Sequence, residues 1–152
     1  MIELIPILQT GEENADLANN PAFKDVIIAT TDYYKKIGFT PPWIGYFVKL
    51  NGEWVGSAGY KGKPLDGAVE IAYGTFPEFE NRGIGTQICQ KLVKLALLTD
   101  SQIKITARTL PDNFPSIAVL KKNGFDYVGI VSDKDDGDVL EWLYRKPGIN
   151  TN

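Results

Sequence analysis

The chain has 152 residues, no histidine, a single cysteine (Cys89), and a formal net charge of -3 with a pI near 5.0. That length suits one domain, residues 1–152, around one core. The composition excludes Ser-His and Cys-His catalysis and an internal disulfide, argues against a cysteine-built zinc site or any other metal site, and disfavours nucleic acid as the main partner. No apolar run reaches the ~18 residues of a membrane span. The N-terminal MIELIP lacks a basic segment followed by an apolar one, so a cytoplasmic protein with no membrane partner is expected.

In chain order, residues 1–8 read as a first strand, with Pro6 placing it near an edge or a bulge. Residues 11–19 are polar, with room for a short helix. Asn20-Pro21 is a helix start, and Phe23, Val26, Ile27, Thr30, Tyr33, Tyr34 and Ile37 follow at mostly helical spacing up to Gly38. Thr40-Pro41-Pro42 reads as a rigid extended connector. Residues 43–50 and 53–60 form a hairpin around Asn51-Gly52. A turn-rich loop, 61–67, leads into the alternating strand Val69-Glu70-Ile71-Ala72-Tyr73.

A breaker region with Pro77 comes next, then Asn81-Arg82-Gly83-Ile84-Gly85-Thr86, which opens an amphipathic helix. Ile84, Ile88, Leu92 and Leu95 form its apolar stripe, widened by Val93, Ala96 and Leu97. Further on come a strand at 102–108, a short helix at 116–122 closed by Asn123-Gly124, a strand at 125–131, an acidic loop at 132–138 and a last strand at 139–145. The fold class is α+β, with a mixed, mostly antiparallel central sheet flanked by helices.

Strand, glycine loop, helix is an order with chemical consequences. A helix N-terminus carries unpaired N–H groups and a partial positive charge, and glycines let an anion approach the backbone. The loop is neither a Walker A sequence nor a complete dinucleotide fingerprint, so a plain tight turn remains open on this motif alone. Together with Asp112-Asn113-Phe114-Pro115-Ser116 through Lys122-Asn123-Gly124-Phe125, however, the pattern resembles the GNAT superfamily of N-acetyltransferases. It is closest to the branch that contains ribosomal-protein alanine and spermidine N-acetyltransferases.

The resemblance implies acetyl-CoA as co-substrate and direct transfer to the amine of a small molecule or a protein, in a ternary complex. It implies that amides of Arg82, Gly83, Ile84, Gly85 and Thr86 hold the CoA diphosphate, with the Arg82 cation and Thr86 hydroxyl adding to them. It implies that Tyr73, Gly74 and Thr75 bond the pantetheine arm through their backbone. Asn113 and Ser116 are then polar contacts to the arm or its thiol. Glu80 departs from the family's Gln or Arg at the loop's first position, and Leu120 stands where many relatives carry a tyrosine acid.

Transfer needs a base for the amine, and without histidine that base is a carboxylate, a tyrosine, or water held by them. Glu70 is the first candidate and Asn113 the second catalytic one. The plainer readings are a solvated strand residue for Glu70 and a helix N-cap for Asn113. The acids of 132–138 are a solvated turn or, more sharply, an attractor for a cationic amine. Two alternatives of other classes remain: a CoA-binding sensor without catalysis, and a protein-interaction domain. A homodimer is compatible with this pattern.

Overall fold

A computed structural model of the protein describes residues 1–146; residues 147–152, which the single-domain expectation includes, lie outside the described residues. The strands are β1 Ile2–Pro6, β2 Gly45–Leu50, β3 Glu53–Tyr60, β4 Ala68–Thr75, β5 Lys104–Thr109, β6 Phe125–Asp133 and β7 Gly137–Tyr144. The helices are α1 Ala15–Ala18, α2 Lys24–Ile37, α3 Ile84–Thr99 and α4 Phe114–Lys122. All seven strands join one sheet in the order β1-β2-β3-β4-β5-β7-β6. Only β4 and β5 run parallel, as the α3 crossover between them requires; the other neighbours are antiparallel. This is the mixed, mostly antiparallel sheet flanked by helices that the sequence implied.

The sheet is covered on both faces. Along β4, Val69 and Ile71 are buried in one core with Ile84, Ile88, Leu92 and Ala96 of α3 and Leu120 of α4. A second cluster joins Ile7, Phe23, Ile27 and Phe47 beneath α2. Tyr60 donates its hydroxyl hydrogen to Leu92 O at 2.6 Å, and Trp142 Nε1–H donates to Thr109 Oγ1 at 3.1 Å. Both bonds satisfy polar atoms that would otherwise be costly inside the core.

Local chemistry explains most element ends. Asn51 and Gly52 have φ of 50° and 85°, the left-handed pair of a two-residue hairpin turn. Asn20 caps a 3₁₀ turn, accepting from Ala22 N–H, and the α-helix proper starts after it. Gly38, at φ 94°, ends α2.

Three elements differ from the sequence reading. Thr40-Pro41-Pro42 is a turn rather than an extended connector, with Trp43 N–H bonded to Thr40 O at 2.8 Å, so β2 starts only at Gly45. β4 continues through Gly74 to Thr75 because β3 pairs it there, Ser57 with Gly74 and Gly56 with Thr75. The acidic stretch 132–138 is mostly a hairpin: β6 and β7 pair as far as Asp133 and Gly137. Asp133 Oδ1 closes that turn by accepting from the N–H groups of Asp135 and Asp136 at 2.9 and 3.1 Å.

Candidate active site

The site begins where two parallel strands part. β4 and β5 pair from Ala68 opposite Lys104 to Ile71 opposite Ala107, and no further. β4 continues to Thr75 bonded to β3, while β5 continues to Thr109 bonded to β7. The backbone groups of residues 72–75 that face β5 therefore have no strand partner, and an extended ligand can bond them.

A cleft of about 620 Å3 opens at this divergence, walled by β4, the loop after it, the start of α3 and the start of α4. Tyr73, Gly74, Thr75, Gly83, Ile84, Gly85, Thr86, Asn113 and Ser116 all line it, so the structure brings together nearly every cofactor residue expected from sequence. Arg82 is the exception. Its guanidinium lies over the Phe79 ring, 5.3 Å from the centroid, and is not part of the lining. Glu80 does line the cleft, and so does Lys122, a cation the sequence reading passed over.

Two glycines shape the mouth of this cleft for different reasons. Gly83 has φ 76° and forms the N-cap of α3 without any side-chain cap. The first helical bond at this end runs from Gln87 N–H to Gly83 O, which leaves the amides of Ile84, Gly85 and Thr86 without an intrahelical acceptor. Gly85 has no positive φ, but a Cβ there would stand 3.6 Å from both Thr75 Oγ1 and Val119 Cγ2, narrowing the gap between β4 and α4. Asn123 Nδ2–H donates to Thr86 O at 3.2 Å and fixes the end of α4 against the start of α3.

On the opposite face of the sheet lies a second cleft, about 600 Å3, between α2 and the strands β2 to β4. Asp135 of the β6–β7 hairpin stands at its edge. A smaller chamber of about 150 Å3, lined by Lys61, Glu70, Arg108, Asn113 and Ser116 among others, shares wall residues with both clefts. Tyr73 lines all three spaces. The three spaces thus adjoin at one point on β4.

Glu70 faces the chamber and is held there by charge. Its Oε2 is 2.8 Å from Lys61 Nζ, and its Oε1 is 3.8 Å from Arg108 Nε. Arg108 also reaches Glu141 at 3.2 Å and Asp133 at 3.2 Å, so one guanidinium ties together β4, β5, β6 and β7. Partial burial works against its charge, but the carboxylates of Glu70, Glu141 and Asp133 push its pKa higher still. Glu70 is therefore not the freely solvated strand residue of the plainer reading. Neither Lys61 nor Arg108 was legible as its partner, because each comes from a different strand end.

Asn113 is the N-cap of α4: its Oδ1 accepts from Ser116 N–H at 3.3 Å. It is also part of the walls of both the 620 Å3 cleft and the chamber, so capping and exposure to a ligand coexist. Leu120, at the position where the family resemblance leads one to expect a tyrosine, is buried in the core. Of the tyrosines along the second cleft, Tyr34, Tyr46 and Tyr60 already donate their hydroxyls, to Ile7 O, Pro42 O and Leu92 O. Among the described residues the buried Tyr73 hydroxyl has no partner at hydrogen-bonding geometry, and burial pushes the nearby Cys89 thiol up to about 12. Cys89 is thus an inert core thiol. Among the described residues no cluster of potential metal ligands occurs, and no helix is long and apolar enough to cross a membrane.

Residues 17–126 match the acetyltransferase (GNAT) domain family, well over half of the chain. The chain belongs to the GNAT acetyltransferase family. Within it, the uncharacterized N-acetyltransferase YjdG of Bacillus subtilis (strain 168) is 32% identical over 97 residues, 63% of this chain and 55% of that protein. The chain thus spans about half the length of that curated relative. Among solved GNAT structures, the aminoglycoside acetyltransferase AAC(6')-Ib with coenzyme A superposes with a TM-score of 0.58 at 26% identity, over 66% of this chain and 64% of the other. The ribosomal alpha-N-protein acetyltransferase RimL with coenzyme A superposes over 93% of this chain and 92% of its own, with a TM-score of 0.68. At 18% identity that likeness is one of fold alone.

Proposed function

We propose that this protein is an acetyl-CoA-dependent N-acetyltransferase that moves an acetyl group to a primary amine by direct transfer in a ternary complex. The observation that carries the reading is the meeting of two clefts at Tyr73, with Glu70 at the junction. Acetyl-CoA fits the cleft between β4, α3 and α4, and the amine fits the one under α2. Support for the first comes from the unpaired amides of Ile84, Gly85 and Thr86, suited to a diphosphate, with Lys122 as a nearby cation. The open backbone of residues 72–75 suits an extended pantetheine arm. The coenzyme A complex of the aminoglycoside acetyltransferase, 26% identical, points the same way.

In this reading the amine nitrogen attacks the thioester carbonyl carbon. The C–N bond forms, the C–S bond breaks, and CoA leaves as a thiol. A β4 backbone N–H stabilises the charge developing on the carbonyl oxygen. Glu70 accepts the proton the amine loses, directly or through one water, and Lys61 and Arg108 keep its carboxylate pointed at the chamber. Asn113 and Ser116 contact the arm near its sulfur and help the departing thiolate regain a proton. No enzyme nucleophile is needed.

Calorimetric titration with acetyl-CoA, for wild type beside Gly85→Glu, tests the cofactor part. Saturable binding by wild type and its loss in the folded variant are expected, since the new side chain adds bulk and negative charge between Thr75 and Val119. Glu70→Gln should bind acetyl-CoA as wild type does and lower kcat by roughly 10²–10⁴-fold, the usual worth of a positioned base. Binding of acetyl-CoA with no amine ever acetylated would make the chain a CoA sensor. No binding at all would leave a protein-interaction domain.

A further inference from the structure

The acceptor cleft has a composition that selects among amines. Helix α2 carries more apolar surface than its core contacts use. Phe23, Ile27, Thr31 and Tyr34 are buried beneath it. A second stripe, Val26, Ala29, Thr30 and Tyr33, repeats at i, i+3, i+4 and i+7 and lines the cleft, Val26 while also packing against the second core cluster. Its charged residues, such as Asp25, Asp32, Lys35 and Lys36, are not part of the lining.

The floor is shallow-walled in the opposite sense: it is made of very small residues. Ser57 pairs with Gly74 and Gly59 with Ala72, and paired positions share a face. Gly59 is fixed by packing, because a Cβ there would come within 2.8 Å of Ile44 O. Gly74 is not: no atom lies within 4 Å of where its Cβ would be. The fold leaves that space free, and it borders both clefts.

Charge completes the picture. Among the described residues the cleft's lining holds two charged side chains, Lys61 and Asp135. Lys61 is paired with Glu70 at 2.8 Å, so of the two charges in this lining Asp135 is the one not held in an ion pair among the described residues. One carboxylate and an apolar wall suit a ligand with one cationic amine and an apolar body. They do not suit a molecule carrying several ammonium groups, most of which would lose water without gaining a partner.

We infer that the acceptor is a primary amine on an apolar body of about aromatic size, packed against the α2 stripe, and not a polyamine or polyamino sugar. This rests on the acetyltransferase reading for the word acceptor, but the recognition chemistry stands on the cleft itself. A free arylalkylamine and a peptide with an apolar N-terminal residue present the same chemistry.

The test is calorimetric binding of phenethylamine, a short peptide with N-terminal phenylalanine, spermidine and kanamycin to the whole chain, with acetyl transfer from acetyl-CoA measured beside it. Phenethylamine or the peptide should bind at least about tenfold tighter than either polycation, the worth of burying one apolar group. Whichever of the two binds tighter identifies the source. Tyr33→Ala, an exposed position, should remove about tenfold for the apolar amine and leave spermidine unchanged. A polycation that binds as tightly or tighter overturns the inference, and so does the absence of binding by every amine. If the binding order holds but no acetyl group moves, the inference stands and the acetyltransferase reading falls.

Discussion

Arg108 shows how one side chain can tie a site together. Its guanidinium holds Glu70 from one side and Asp133 and Glu141 from the other. Asp133 in turn accepts hydrogen bonds from the N–H groups of Asp135 and Asp136, so it braces the turn that carries Asp135 to the edge of the cleft under α2. Those two amides first, and Arg108 after them, hold the Asp133 carboxyl below its ordinary value. A depressed folded-state pKa contributes stability that is present above the unfolded value and lost as pH falls through the folded one. Asp133→Asn should therefore lower the melting temperature at about pH 7, and the gap should close only as pH falls below the ordinary carboxylate range and through the depressed folded-state value. Melting curves of both proteins across that range check this, and a gap that persists in acid would mean the residue acts through shape alone.

At the scale of elements, the start of α3 separates two uses of glycine. Gly83 needs its freedom because φ is 76°, a region that costs a residue with a Cβ about 1–2 kcal/mol. Gly85 carries no such need, and its nearest neighbours would meet a Cβ at ordinary contact distance. Gly83→Ala should cost roughly 1–2 kcal/mol in urea unfolding. Gly85→Ala should be neutral or stabilising by up to about 1 kcal/mol, the difference in helix propensity. Equal losses in both variants would mean the loop is not held as described. The divergence of β4 and β5 works at the same scale: the strands share four paired residues, and everything that lines the proposed cofactor cleft lies beyond the last pair.

For the whole molecule, both clefts are borders between layers rather than features of any one element. A ligand bridging β4, α3 and α4 should stabilise the fold as a unit. At about a hundred times its dissociation constant, acetyl-CoA should add ~2.7 kcal/mol. For a domain of this size that is a rise in melting temperature of about 5–10 °C. Thermal scans with acetyl-CoA, and with adenosine diphosphate as a smaller control, measure it. An unchanged melting temperature at saturating acetyl-CoA would contradict the proposed site.

What the sequence by itself determined is local. The left-handed turn at Asn51-Gly52, the cap at Asn20, Gly83 at the mouth of α3 and the buried stripe of α3 all follow from interactions between residues a few positions apart. Such interactions are written in spacing and residue type. So was the order of strand, glycine loop and helix, which carried the GNAT resemblance. What only the tertiary structure decided is which distant side chains share a space. Lys61 and Arg108 reach Glu70 from other strands, Lys122 and Asn113 meet Gly83 across a cleft, and Asp135 arrives beside α2 from the far end of the chain. The sequence does not mark these partners, because a lysine or aspartate in a loop reads the same whether it faces water or a site. Long-range closure of the sheet supplies the difference, and the two clefts exist only after β4 has been paired on one side and released on the other.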